Sequence, residues 1–177
     1  MAADAGETWW LDGHEGIDVW VTYARGLDPR ELVSRLPEGA RPLVVGSSQG
    51  WAYAVEQVGD GTARTASDDW NAPALRASAD GTDVLFFQTR SWDAPSQFMY
   101  ARGGQCITWF GLGCGGEEDE RAGEEDVLAS ALQAAGIVGD DTSRYEEDEE
   151  FNLDGWETVR VICEHFSAPL PPLRATA

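Results

Sequence analysis

Cys106, Cys114, Cys163 and His165 have the donor chemistry of a zinc site, which takes thiolate and imidazole ligands at tetrahedral positions. Cys163 and His165 are two apart, so a helix turns them to different faces and a strand to the same one. The surrounding stretch, DGWETVRVICEHF, aligns Trp156, Val159, Cys163 and Phe166 at helical spacing with Ile162 beside them. Helix is therefore the expectation for residues 156–166, with strand as the alternative because of the β-branched residues. On a helix the zinc set falls apart, and no metal is expected. Three cysteines without CxxC spacing, in a chain large enough not to need staples, read as reduced thiols.

The remaining chemistry-bearing residues form no stronger pattern. There are two histidines, His14 and His165, and no Gly-x-Ser-x-Gly elbow from which either could activate a nucleophile. All twelve basic residues are arginine, which removes Schiff-base and P-loop lysine chemistry. GLGCGG, Gly111 to Gly116, has the glycines of a dinucleotide loop. It leads into an acidic run that would repel a pyrophosphate, with no βαβ unit around it, and reads as a connector. DDTSRYEEDEEF has the acids of a calcium loop but places Arg144 inside it and lacks the central glycine. Glu56 lies on the alanine-lined side of a predicted strand. If buried it needs a cation, and Arg25 or Arg90 could supply one, so a structural Arg25–Glu56 ion pair is expected. A general-acid role for Glu56 has no second feature behind it. No catalytic residue and no cofactor are assigned, and the reading leans away from an enzyme while leaving that class open.

Charge is the strongest signal. The formal net charge is −20, a field that repels phosphate backbones and anionic lipid and attracts basic partners. Nucleic acid and membrane are therefore not expected as partners. Residues 117–154 hold fifteen acids and two arginines, net −13, so two thirds of the excess lies in about a fifth of the chain. Within this region RYEEDEEFNLDGW carries six carboxylates. Acids at a helix N-terminus gain about 0.3–1 kcal/mol each from the dipole and the unpaired N–H groups, an effect that fades within one turn. Helices are expected after both acidic clusters, so this can reward two or three carboxylates at each. The surplus either solvates a face or presents a surface to a cationic partner, with Glu146, Glu147, Asp148, Glu149 and Glu150 as its centre. Of eight tryptophans, Trp20, Trp51, Trp70, Trp109 and Trp156 fall inside predicted elements and are assigned to the core. Trp9 and Trp10, in a loop-like start, are the candidates for an exposed aromatic anchor.

The elements that must position these residues follow from periodicity. Ile17 to Ala24 alternates as a strand. In GLDPRELVSRLPEG, Asp28 is an N-cap, Pro29 the first helical residue, and Leu32, Val33 and Leu36 an inward stripe ended by Pro37. WAYAVEQV, Trp51 to Val58, is a strand, and Ser67 to Ala79 is expected to be helical despite Pro73. TDVLFFQTRSW is a buried strand, and SQFMYARGGQCITWFGLG two strands around Gly103-Gly104. EEDVLASALQAAG is a helix closed by Gly136. The sum is a single α+β domain over residues 1–166, an antiparallel sheet of about five strands in a single layer covered by helices, followed by a Pro-rich tail, 167–177. No apolar run reaches membrane-spanning length and no signal peptide opens the chain, so a cytoplasmic location is expected.

At TYARGLDPRELVSRL the chain resembles an uncharacterised actinobacterial family whose members open with a strand followed by Arg-Gly-Leu-x-Pro-x-Glu, two apolar residues, x, Arg-Leu. Here these are Arg25, Gly26, Leu27, Pro29, Glu31, Leu32, Val33, Arg35 and Leu36. GWAYAVEQ and the Trp70 region followed by GTDVLFF are similar too. The resemblance covers roughly residues 9–166. It implies the architecture of a small cytoplasmic protein and carries over no catalytic residue. The expectation for function is an acidic binding protein of the immunity or antitoxin kind, capturing a basic protein. The alternatives are a Trp-lined small-molecule or enzymatic pocket on the sheet, and a regulatory or structural subunit.

Overall fold

The computed structural model describes residues 18–38, 40–58, 72–89, 97–111, 121–122, 127–139, 143–148, 151–152 and 155–170. An inner strand of its sheet is β1 (Asp18–Arg25), whose alternating side chains are buried on both sides. Val19, Val21 and Tyr23 enter one core, and Trp20 and Ala24 the other. Around it the order is β2-β3-β1-β4-β5-β6-β7, every neighbour antiparallel. The flanking strands are β2 (Pro42–Ser48), β3 (Trp51–Val58), β4 (Val84–Thr89), β5 (Gln97–Arg102) and β6 (Gln105–Gly111). β7 (Arg121–Ala122) is a two-residue stub. The chain is thus α+β with one sheet, larger than expected from sequence by β2 and the stub.

Each face has its own covering. On the first, α1 (Pro29–Arg35) and α2 (Ala72–Ala77) lie over Ala24, Ala52, Ala54 and Ala101, small residues that let the helices approach. Pro73 is the second residue of α2, where its missing N–H breaks no helical bond. On the second face, α3 (Ala129–Ala134) and α5 (Trp156–Phe166) bring Leu132, Val159 and Ile162 against a row of rings, one from each of five adjacent strands. Trp51, Tyr23, Phe87, Phe98 and Phe110 follow one another with centroids 6.4, 6.0, 5.0 and 5.3 Å apart. Such pairs each add about 0.5–1.5 kcal/mol beyond the area they bury. Residues 156–166 are helical despite the β-branched Val159, Val161 and Ile162, because that conformation puts Val159, Ile162 and Cys163 on this core.

Turns and caps obey local chemistry. Gln49 and Gly50 (φ 54° and 80°) join β2 to β3, and Gly103 and Gly104 (φ 62° and 75°) join β5 to β6, in each case two left-handed residues that match strand twist. Gly136 closes α3 with paired bonds from Gly136 N to Gln133 O and Ile137 N to Leu132 O. α5 ends the same way through Ser167 and Ala168, but with Ser167 at φ 52° where glycine would be unstrained. Ala168, which closes this cap, is buried. Residues 171–177 lie outside the described set.

The RGLDPREL segment is a structural corner in which most positions have a task. Gly26 takes φ 72°, the Asp28 side chain accepts from Arg30 N at 2.8 Å, and Pro29 opens α1. Glu31 and Asp80 both hold Arg35, at 2.6 and 2.7 Å. Arg35, with Thr82, keeps the Asp80 carboxyl well below the usual carboxylate range.

Candidate functional site

The acidic run does not serve as the N-terminus of α5. Its first two residues, Glu146 and Glu147, end a separate short helix, α4 (Ser143–Glu147), and a turn at Phe151 and Asn152 stands between that helix and α5. Arg144 anchors this helix: Nη1 donates to Ala135 O at 2.9 Å at the end of α3, and the guanidinium lies 4.0 Å from the ring centroid of the buried Phe151. Asn152, left-handed at φ 56°, caps α5 from outside. Its Oδ1 accepts from Thr158 N (2.9 Å) and Thr158 Oγ1 (3.1 Å), while Gly155, at the helix start, has no side chain to do so. Of the acids in α5, only Glu157 is in its first turn.

This arrangement decides where the charges go. Glu147 and Asp148 are exposed, and among the described residues Glu147 makes no ion pair. Arg144, the one cation of the segment, is turned to a carbonyl and a ring. Elsewhere four of the described arginines serve the body of the fold: Arg35 with Glu31 and Asp80, Arg25 and Arg102 with Asp83, and Arg160 with Glu157 and Glu164. Glu146 lies in α4, while Glu149, Glu150, Trp9 and Trp10 are outside the described residues. Trp156, assigned to the core from its spacing, is 38% exposed at the first residue of α5. It stands at N1, before the stripe that faces the sheet begins at Val159, so helical spacing alone misplaced it.

The expected Arg25–Glu56 pair is not formed. Register sets Arg25 opposite Trp51 and Glu56 opposite Trp20, so the two side chains lie on opposite faces of the sheet. Arg25 instead approaches Asp83 (Nε to Oδ2, 3.5 Å), donates through Nη2 to Phe166 O at 2.8 Å, and stacks 4.5 Å over Trp51, tying the end of α5 to the sheet. Asp83 also accepts from Tyr100 Oη at 2.9 Å. Burial, and then this neighbouring carboxylate, raises the Tyr100 pKa.

Glu56 belongs to another group that sequence reading did not assemble. Across β3, β1 and β4 the residues Glu56, Trp20 and Gln88 stand side by side on the α1–α2 face, all buried. The Gln88 Oε1 atom is enclosed and has no hydrogen-bond partner among the described residues. Alternation on WAYAVEQV could have flagged the position of Glu56, but its neighbours come from strands whose register the sequence does not state.

The candidate zinc donors are divided by the sheet: Cys106 packs toward the α1–α2 core and Cys163 into the other, while Cys114 is outside the described residues. Burial, with Glu164 adding to it, pushes the Cys163 thiol up to about 12, the behaviour of an inert core cysteine. His165 is exposed beside Phe166, and His14 is outside the described residues. Among the described residues no group of three His, Cys, Asp or Glu side chains is placed to hold a metal, and no helix is long and apolar enough to cross a membrane. Comparisons with protein families, with curated proteins and with solved structures find no match to this chain.

Proposed function

We propose that this is a non-enzymatic acidic binding protein, of the immunity or antitoxin kind, that captures a basic protein partner in the cytoplasm. The observation that carries this reading is the division of charge. Arg25, Arg102 and Arg160 are engaged within the fold, whereas Glu147 and Asp148 are exposed at the end of α4, Glu147 makes no ion pair among the described residues, and Arg144 is turned to a carbonyl and a ring. Exposed negative charge of this kind raises the rate of encounter and selects partners by sign. Trp156, at the head of the helix that follows, joins Trp9 and Trp10 as a candidate aromatic anchor. Such a complex weakens as salt rises, because exposed charges are screened over about 10 Å at 0.1 M. The test is capture from a lysate of the native host across a salt series. A basic protein retained at low salt and released at high salt supports the reading; recovery of no basic protein at low salt refutes it.

A second reading rests on the buried Glu56–Trp20–Gln88 row. Gln88 Oε1, enclosed beside Trp20 on this face and without a hydrogen-bond partner among the described residues, has the chemistry to accept an N–H of a small ligand. Screening amines and guanidines by thermal shift separates the two: stabilisation of wild type that is lost in Gln88→Leu favours this reading, and no stabilisation by any compound discards it.

A further inference from the structure

We infer that the outer edge of β2 is the interface for a second copy of this chain, which adds its own β2 antiparallel to extend the sheet. Among the described strands β2 is terminal in the sheet order, so one of its edges faces no strand. Its pairing shows which groups point outward. The two-residue turn at Gln49-Gly50 makes Ser48–Trp51 a hydrogen-bonded pair, and alternation then does the same for Gly46–Tyr53 and Val44–Val55. Val45 and Ser47 therefore direct N–H and C=O away from β3. Edge strands ordinarily deter pairing with charges, prolines or bulges. Here Pro42 and the bulge at Leu43 protect one end only, and Pro42 to Val55 contains no charged residue in a chain with 32 acids. Leu43 and Val45, 57% and 42% exposed, are the two most exposed large hydrophobic side chains among the described residues.

The chemistry of the strand selects its occupant. A basic segment would find no carboxylate along β2 and would meet Arg41 just before it. A neutral strand with an apolar side chain at alternate positions fits, and β2 itself is one. Self-pairing also joins two copies where neither presents a carboxylate, the geometry that costs least for molecules of charge −20. A single strand pair buries less than the roughly 1,200 Å² of a standard stable interface, so the dimer is a weak, concentration-dependent one.

The salt dependence separates this surface from the acidic one. Screening the mutual repulsion strengthens self-association as salt rises, the opposite sign to capture of a basic partner. Sedimentation equilibrium of the full chain is run across protein concentration at low and high salt, with Val45→Lys and Ser47→Pro alongside. Both positions point their backbone outward, so the variants leave the β2–β3 ladder intact, and thermal melts confirm folding. Wild type should dimerise more tightly at high salt, and each variant should weaken the dimer by about tenfold or more. Hydrogen exchange at Val45 and Ser47 should slow as the protein is concentrated. A wild type that stays monomeric at high salt overturns the inference. So does a dimer that both variants leave unchanged, or protection of these amides already complete in dilute protein.

Discussion

Asn152 caps α5 from the turn that precedes it, and its replacement has a calculable cost. It does two things at once: it occupies φ 56°, a conformation tolerated by Asn and Gly, and its Oδ1 receives both the backbone N–H and the hydroxyl of the buried Thr158. Asn152→Gly keeps the backbone conformation and loses the acceptor, a loss of about 1–2 kcal/mol from the cap and from leaving Thr158 donors enclosed. Asn152→Ala adds left-handed strain, about 1 kcal/mol more. Urea unfolding followed by far-ultraviolet circular dichroism gives both values, provided the slope is unchanged between variants. The order wild type, Gly, Ala is the signature of the two-part role. If Asn152→Ala is within about 0.5 kcal/mol of wild type, the capping argument is wrong, because that is the ordinary scatter of a neutral surface change.

Ser167→Gly relieves the left-handed cap of α5 and should stabilise the protein by about 0.5–1 kcal/mol, with Ser167→Ala giving no such gain in the same denaturation assay. Arg144→Ala removes the bond to Ala135 O and the contact with Phe151, at an expected cost of about 1 kcal/mol in the same measurement. The Cys163 thiol should resist alkylation at pH 8 in native protein and react on unfolding, whereas the half-buried Cys106 reacts faster, as mass spectrometry of modified peptides would show. Its raised folded pKa also fixes a sign. Below pH 9 both states keep the proton; between 9 and about 12 only the unfolded thiol loses it, so stability falls as pH rises through that window. Cys163→Ala should remove this share of the alkaline decline in pH-dependent melts.

Much of the sheet was legible because its signals are local. Alternation located β1 and β3, paired glycines located the β5–β6 hairpin, and Asp28-Pro29 located the start of α1. β2 escaped notice because Pro42, Gly46, Ser47 and Ser48 are weak strand formers. Gly46 is present for a cross-strand reason: a Cβ there would lie 2.5 Å from Tyr53 Oη. The doublet Gln49-Gly50 directly before β3 was the available clue. Failures at the site are of another kind. Whether Arg25 meets Glu56 or Asp83 is a question of sheet face and strand neighbour, which charge sign cannot answer. The acidic run looked like a cap for α5 because it precedes it. A turn intervenes, Asn152 takes the capping role, and Glu147 and Asp148 stay exposed ahead of that turn.

The proposed capture of a basic protein is tested most directly with a native-host lysate at low salt, using the intact chain and a variant in which Glu146, Glu147, Asp148, Glu149 and Glu150 are all glutamine. The intact chain should retain a basic protein that the glutamine variant, folded to the same melting behaviour, does not. Equal retention by the two, or retention of nothing basic by either, would contradict it.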